Sequence, residues 1–477
     1  MVRISGRAAI LLFMLFACVP VYAQKAPAAP DHPWDVNTST QQVKAPPRPA
    51  PAVTLDPVKI YTLPELVDLA EHNNPDTRVS WESAKARAAD LGISKSTLYP
   101  TLAAVVLANT SRSGVFFGPL FVRQTVEAYA PTLAVDYAIF DLQRSQEIAI
   151  SRDQLLAANF QFNDTHRKII FSVMDAYYRL LDTKGLQEAA EANLKNAQTV
   201  REAAEARLQN GLATLPDVLE SRSAEAQADY DLQAAIGATE IAYGDLATSL
   251  GISPLTTFNV ESIHDIKMPD QIVDTVEKSI DKALAQRPDL LQRVAELRAT
   301  QAEVSSAKRA YAPKLTFSGQ GGDVRAYGKQ YPTPNTGVTS PTLQAWDAEL
   351  NLSWTLFDGL ARENRLAKAK ADQKQAEATI DATRDQIENQ VWSAYSTART
   401  ALRQQRAAAA LLESATESYN AALESYNYGV RSQIDVVSAQ KTLADARTAD
   451  VTARTQLLTG LAALAYQTGD LLYVKSP

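Results

Sequence analysis

The chain has 477 residues, with 47 Lys and Arg against 54 Asp and Glu and a formal net charge of −7. That length allows several domains and a large core, so size excludes little. A nearly balanced charge with no Lys/Arg-rich block excludes a surface built to track a phosphate backbone, and nucleic acid is not an expected partner.

At the N-terminus, Arg3 and Arg7 precede the apolar run Ala8 to Val19, and Val21-Tyr22-Ala23 follows. This order fits a secretory signal over residues 1–23, cut after Ala23, and an exported mature chain. The segment carries two arginines and no acid, so its loss takes the net charge from −7 to −9. The single cysteine, Cys18, leaves with it, and no disulfide, thiolate nucleophile or cysteine metal site remains. Cys18 also leaves lipoprotein acylation open, which Phe16 opposes because that position usually holds a small or β-branched residue. Residues 24–60 form a proline-rich extension, with eight prolines between Gln24 and Pro57, and read as an irregular lead-in.

From there the chain is written twice. Asn74-Pro75-Asp76 matches Arg287-Pro288-Asp289, and Tyr99-Pro100-Thr101-Leu102 matches Ala312-Pro313-Lys314-Leu315, both at an offset of 213. Phe140-Asp141 matches Phe357-Asp358 at 217, and Ala176-Tyr177 matches Ala394-Tyr395 at 218. The drift places a loop four residues longer in the second copy, between the strands. Residues 61–260 and 261–470 are therefore expected to be two copies of one unit, followed by a short tail at 471–477.

Each copy opens with a helical stretch, Pro64 to Thr97 or Val273 to Ala310, which ends near a proline that cannot continue the ladder. Two strands follow, near 101–111 and 128–140 in the first copy and near 314–322 and 346–357 in the second. In Trp346 to Phe357 one face carries Trp346, Ala348, Leu350, Leu352, Trp354 and Leu356, while the other is polar. Strict alternation gives one wet and one greasy face. A tilted strand of this length crosses an apolar band of roughly 25 Å, with Trp346 and Trp354 suited to its edges.

The long helices come next. Leu360 to Tyr428 holds 69 residues without Gly or Pro, and Asp141 to Asn210 has only Gly185 inside. At 1.5 Å per residue each is a rod about 100 Å long. Ile380, Ile387, Val391, Ala394, Ala398 and Leu402 lay a narrow coiled-coil stripe along the second rod. Each rod ends in a small turn, GLATLPDVL from Gly211 or GVRSQIDVV from Gly429, at an offset of 218. Gly211 and Gly429 suit a left-handed helix end, Thr214 and Ser432 the next N-cap, and Asp217 and Asp435 the N3 position of a capping box. Pro216 falls in the first turn, where its missing N–H costs nothing. Both turns are tips of antiparallel helical hairpins.

After the signal there is no apolar run of 18 residues, so no membrane-spanning helix is expected. Four strands cannot close a barrel with a bore, so several chains must share one. An exported chain that enters a membrane only by strands belongs in an outer membrane. His32, His72, His166 and His264 lack metal-ligand spacing, and GQGGD at Gly319 reads as strand and loop rather than a phosphate site. No catalytic, cofactor or metal site is expected.

The tandem halves, the Asn/Arg-Pro-Asp helix starts, Pro100 and Pro313, the two Phe-Asp pairs and the paired G-x-x-(T/S)-x-x-D-V tips together resemble the TolC family of outer-membrane efflux channels. The resemblance implies a mainly α fold with a β-barrel portion, in which a tandem-repeat helical coiled-coil barrel continues a 12-stranded β-barrel shared by a homotrimer. It implies an exit duct for efflux or type I secretion, embedded in outer-membrane lipid and docked on a periplasmic adaptor protein and an inner-membrane pump. It further implies that Asp435 belongs to an inward-facing carboxylate ring, and that Asp217, Tyr426 and Arg431 hold the periplasmic tip shut. Gly211, Thr214, Gly429 and Ser432 would then lie where the adaptor grips. Ser438 stands where a second acid is common, and Pro216 where a hydroxyl could aid closure. A periplasmic adaptor is the alternative, since adaptors also carry long hairpins. Extraction separates the two: a channel should stay with the membrane until detergent is added, and an adaptor should remain in the soluble fraction.

Overall fold

The computed structural model describes residues 55–117, 120–272, 274–331 and 342–472. The expected signal, most of the proline-rich extension and most of the C-terminal tail lie outside the described residues.

A short strand β1 (Ile60–Tyr61) leads into α1 (Leu63–Asn73) and α2 (Pro75–Ser96), followed by β2 (Thr101–Phe117) and β3 (Leu120–Phe140). The rod α3 (Arg144–Gln209) turns into α4 (Leu215–Ser249). The second half repeats this order with β4 (Asn259–Val260), α5 (Val276–Gln286), α6 (Pro288–Arg309), β5 (Lys314–Tyr331), β6 (Thr342–Ser353), α7 (Ala361–Asn427) and α8 (Gln433–Thr468). The helical stretch expected from Pro64 to Thr97 is two helices, and so is its counterpart. Pro75 and Pro288 push Asn74 and Arg287 into extended backbone, and each of these residues ends one helix and starts the next. Asn74 does this by accepting from the Asp76 N–H at 2.9 Å. Arg287 instead forks onto Asp289, at 3.0 and 2.6 Å.

The four long strands form one antiparallel sheet in the order β2-β3-β5-β6. Thr101 pairs with Asp136 and Lys314 with Ser353. Those pairs are equivalent under offsets of 213 and 217, so both halves pair alike and the four-residue surplus falls at the turn end. Three strands run longer than their alternation predicts, because the apolar alternation covers only part of each strand whereas the ladder continues beyond it through polar residues such as Asn109 to Ser113. β6, in contrast, stops at Ser353 rather than Phe357. Its partner strand begins just after Pro313, which has no N–H to donate. The freed Trp354 donates its indole N–H to the Tyr311 carbonyl at 3.1 Å. Gly359 and Leu360, at φ 70° and 68°, then swing the chain into α7.

The registers place Leu102, Ala104 and Val106 of β2 beside Val135, Leu133 and Pro131 of β3. Phe317, Gly319 and Gly321 of β5 continue the row, followed by Leu350, Ala348 and Trp346 of β6. One continuous apolar face results, and none of the described residues covers it: Trp346 is 82% exposed and Leu350 65%. Pro131 sits inside the sheet, and the β3–β5 ladder lapses between Tyr129 and Thr132 around it. There Gly322 lets the two backbones approach more closely than any Cβ would permit.

Lateral order among the helices follows that of the strands. Near the sheet α2, α3, α6 and α7 pack side by side, and farther along the row becomes α4, α3, α8 and α7. On α7 the buried positions Ile380, Ile387, Val391, Ala398, Ala401, Ala408 and Ala415 advance mostly by sevens, so the seam is a coiled coil. The seam takes in Ala401 rather than the expected Leu402 and leaves Ala394 half-buried. α2, at the flank of the row, buries no residue, and Val79 and Ile93 stand fully open.

Between sheet and tips, a buried clasp joins the halves. β1 pairs in parallel with β4. Arg167, 1% exposed, donates to Asp164 at 2.6 Å and to the Tyr466 carbonyl at 3.2 Å, and its guanidinium lies over the Tyr466 ring. Asp289 lies 3.6 Å from Arg167 and is held by Arg287, which also reaches Gln467. Burial works to raise the Asp289 pKa, but Arg287 and Arg167 outweigh it and hold the carboxyl below the usual range. A carboxyl whose folded pKa is lowered stabilises the fold above its ordinary value of about 3.9, and that stability is lost as pH falls through the folded value. Thermal unfolding followed below about pH 4 should therefore show stability falling with pH, and Asp289→Asn should be less stable at neutral pH with a flatter acid dependence.

Candidate functional site at the helical tips

Both rods end in the same hydrogen-bonded turn. Gly211, at φ 72°, donates to the Leu208 carbonyl at 3.0 Å, and Leu212 donates to Arg207 at 2.8 Å. Gly429, at φ 78°, donates to Tyr426 at 2.9 Å, and Val430 donates to Ser425 at 2.8 Å. These paired bonds satisfy the last carbonyls of each rod, and the left-handed residue between them favours glycine for lack of a Cβ.

The returning helices begin as the sequence predicts. The Asp217 carboxylate accepts from the Thr214 N–H at 2.8 Å and its hydroxyl at 2.7 Å. Asp435 accepts from the Ser432 N–H at 3.1 Å and its hydroxyl at 2.8 Å, and the Ser432 hydroxyl in turn accepts from the Asp435 N–H at 3.4 Å. Hydrogen bonds from Thr214 hold the Asp217 carboxyl below the usual range, and those from Ser432 do the same for Asp435. Both acids therefore stay ionised at the positive ends of their helices. Within one chain each is a capping residue.

Tyr426 is 4% exposed and packs with Val200, Tyr419, Val436 and Leu443. Its hydroxyl has no hydrogen-bond partner among the described residues, and burial pushes its pKa up. Arg431 is exposed and makes no ion pair among the described residues, although its charge helps keep Asp435 ionised. The structure thus brings Tyr426 to the core of the second tip, leaves Asp435 and Arg431 on that tip's surface, and keeps Asp217 half-buried at the first tip. Ser438 is exposed one turn below Asp435, and Pro216 lies in the first turn of α4.

Two arrangements here escape the sequence reading. Arg201 pairs with Glu225 at 2.6 Å and Glu205 at 2.9 Å, and Arg222 reaches Glu205 at 2.9 Å, which laces α3 to α4. Arg207 lays its guanidinium over the Tyr426 ring at 4.4 Å and donates to the Tyr426 carbonyl at 2.6 Å. The signal for Arg207 lay in the repeat itself, because an offset of 218 aligns this charge with Ser425. Around the tips Leu212, Leu215, Tyr428, Val430 and Ile434 stand exposed, an apolar rim at the end of the rods.

With this geometry in view, comparison with known proteins is decisive. The family described as outer membrane efflux protein matches residues 66–252 and 279–470, one stretch in each half. The chain belongs to that family. It is 28% identical to protein CyaE of Bordetella pertussis over 357 residues, which cover 74% of this chain and 72% of that one. Its fold matches a membrane protein from Pseudomonas aeruginosa with a TM-score of 0.75 at 22% identity, covering 90% of this chain and 99% of that one. It also matches the Campylobacter jejuni CmeC outer membrane channel, with a TM-score of 0.70 at 19% identity and 85% of each chain covered. The resemblance to TolC-type channels is correct, the protein resides in the outer membrane, and the adaptor alternative is not favoured. Among the described residues, no helix is long and apolar enough to cross a membrane. The four-stranded sheet carries the apolar face.

A residue with a Cβ at the left-handed position of the second tip should cost about 1 kcal/mol. Gly429→Ala should therefore speed amide hydrogen exchange over residues 425–432, with exchange across the buried clasp unchanged.

Proposed function

We propose that this efflux protein works as a homotrimer, in which three four-stranded sheets close one 12-stranded barrel and the rods continue it as a tunnel into the periplasm. The observation that carries this reading is the sheet: among the described residues, one in-register apolar face is uncovered, and both edges, β2 and β6, lack a partner. Open edges and a greasy face are costly in water, and closure in lipid removes both costs. The helical row supports the same assembly. It ends in α2 and α4 on one flank and α7 on the other, with Val79, Ile93, Tyr230 and Ile241 exposed on the first and Trp392 on the second. The repeated units are residues 61–260 and 261–470.

The tunnel serves as the exit duct of a tripartite efflux or type I secretion system, joined at the tips to a periplasmic adaptor and through it to an inner-membrane pump. Gly211, Thr214, Gly429 and Ser432 shape the tips the adaptor meets, and the apolar rim around them supplies area for that contact. Three copies of Asp435 around the axis would attract cations and repel one another, and the exposed Arg431 is free to reach a neighbouring chain and hold the tip shut. Asp217 supports closure by fixing the start of α4.

Reconstituted in a planar bilayer, the protein should pass ions, and native mass spectrometry in detergent should find three copies. Arg431→Ala and Asp217→Ala should raise conductance, whereas Thr214→Ala, which weakens the same cap but keeps the carboxylate, should raise it less. Equal conductance in all of them would remove the gate assignment and leave the duct standing.

A further inference from the structure

We infer that Arg207 is the positioning residue that ties the two hairpin tips of one chain together and so sets how tightly the tip rests closed; this rests on the gated-duct reading above. The side chain leaves the last turn of α3, in the first half, and ends on the last turn of α7, in the second. It meets three favourable features there. The Tyr426 ring presents its face to the guanidinium at 4.4 Å, and cations bind that face. The Tyr426 carbonyl, which also closes the glycine turn by accepting from Gly429, takes the Nη1 proton at 2.6 Å. That carbonyl lies at the C-terminus of a 67-residue helix, where the backbone dipole favours positive charge.

Other polar ties between the hairpins lie away from the tips and end on α8. The Thr455 hydroxyl donates to Asp182 at 2.7 Å, and Arg447 donates to Asn193 at 2.8 Å. Among the described residues, Arg207 makes the only side-chain hydrogen bond between α3 and α7, and no ion pair joins those helices. It also lies nearest the end, where separating the hairpins would have most effect. The Tyr426 hydroxyl is buried and makes no hydrogen bond among the described residues, so it adds no such tie there. Tyrosine's contribution is its ring face and its carbonyl. The clasp is one-sided: at the 218 offset the repeat offers Ser425 for the cation and Leu208 for the ring. Hairpin one supplies the charge and hairpin two receives it, so loss of a single side chain releases both.

Planar-bilayer recording on the full-length assembled protein tests this. Arg207→Ala should raise the time-averaged conductance on the order of tenfold, and Arg207→Lys, which keeps a charge but loses the planar stack, should fall between it and wild type. Tyr426→Leu, which removes the ring but keeps the backbone carbonyl, should raise it less than Arg207→Ala, and the double variant should conduct no more than Arg207→Ala alone. Arg222→Ala, which breaks an ion pair within the first hairpin only, should conduct as wild type. The melting temperature of the Arg207 variants should stay at the wild-type value, which separates release of the tip from unfolding. Wild-type conductance in Arg207→Ala, or effects of Arg207→Ala and Tyr426→Leu that multiply, would overturn the clasp while the duct stands. A wild-type protein that passes no ions would overturn the duct and the clasp with it.

Discussion

The structure depends on a sheet that a single chain cannot complete. Four antiparallel strands carry an apolar face from Leu102 across Leu133 and Phe317 to Trp346, and among the described residues no helix packs on it. A soluble protein would bury that face against a second layer. Here the helices instead run onward from the strands, and in the proposed trimer lipid would cover the face and neighbouring chains would pair the edges. The helical row inherits the same order because each helix leaves or enters its own strand.

Duplication explains much of the rest, and departures from it are informative. Both halves use one grammar: a proline break, a strand pair, a rod of 66 or 67 residues, a glycine turn and a returning helix of 35 or 36. Where chemistry differs between equivalent positions, the structure has a specific use for the difference. Asn74 caps a helix by itself, whereas Arg287 in the same place joins a buried network with Asp289 and Gln467. Arg207 and Ser425 differ in the same way at the tips. The first hairpin is laced by exposed and half-exposed ion pairs, and the second by a tyrosine-rich apolar seam. Exposed pairs contribute little stability and the seam, which also takes in Val200 of the first hairpin, contributes more.

In the proposed duct, stability and gating would draw on the same side chains at the tips. Asp217 and Asp435 satisfy orphan amides, and a carboxylate that caps a helix is also an ionised group at the end of a rod. Neither role excludes the other. The rim of Leu212, Tyr428, Val430 and Ile434 makes the ends apolar as well as charged, which suits a surface that meets another protein.

Local rules made much of this legible. The glycine turns and capping boxes depend on residues within a few positions of one another, and the gap-free rods and paired offsets are read along the chain without any contact, so sequence by itself determined them, along with the greasy face of β6 and the outer-membrane assignment. It misplaced strand ends, because apolar alternation does not mark where the ladder ends, and it merged helices that a single proline divides. Only the tertiary structure decided what depends on distant segments meeting. The Arg167–Asp289 clasp joins residues 122 positions apart, and the Arg207–Tyr426 stack joins residues 219 apart. A lone arginine in a helix gives no local sign of its partner, because cation–ring and charge–carbonyl contacts have no sequence period; packing of one rod beside another creates them.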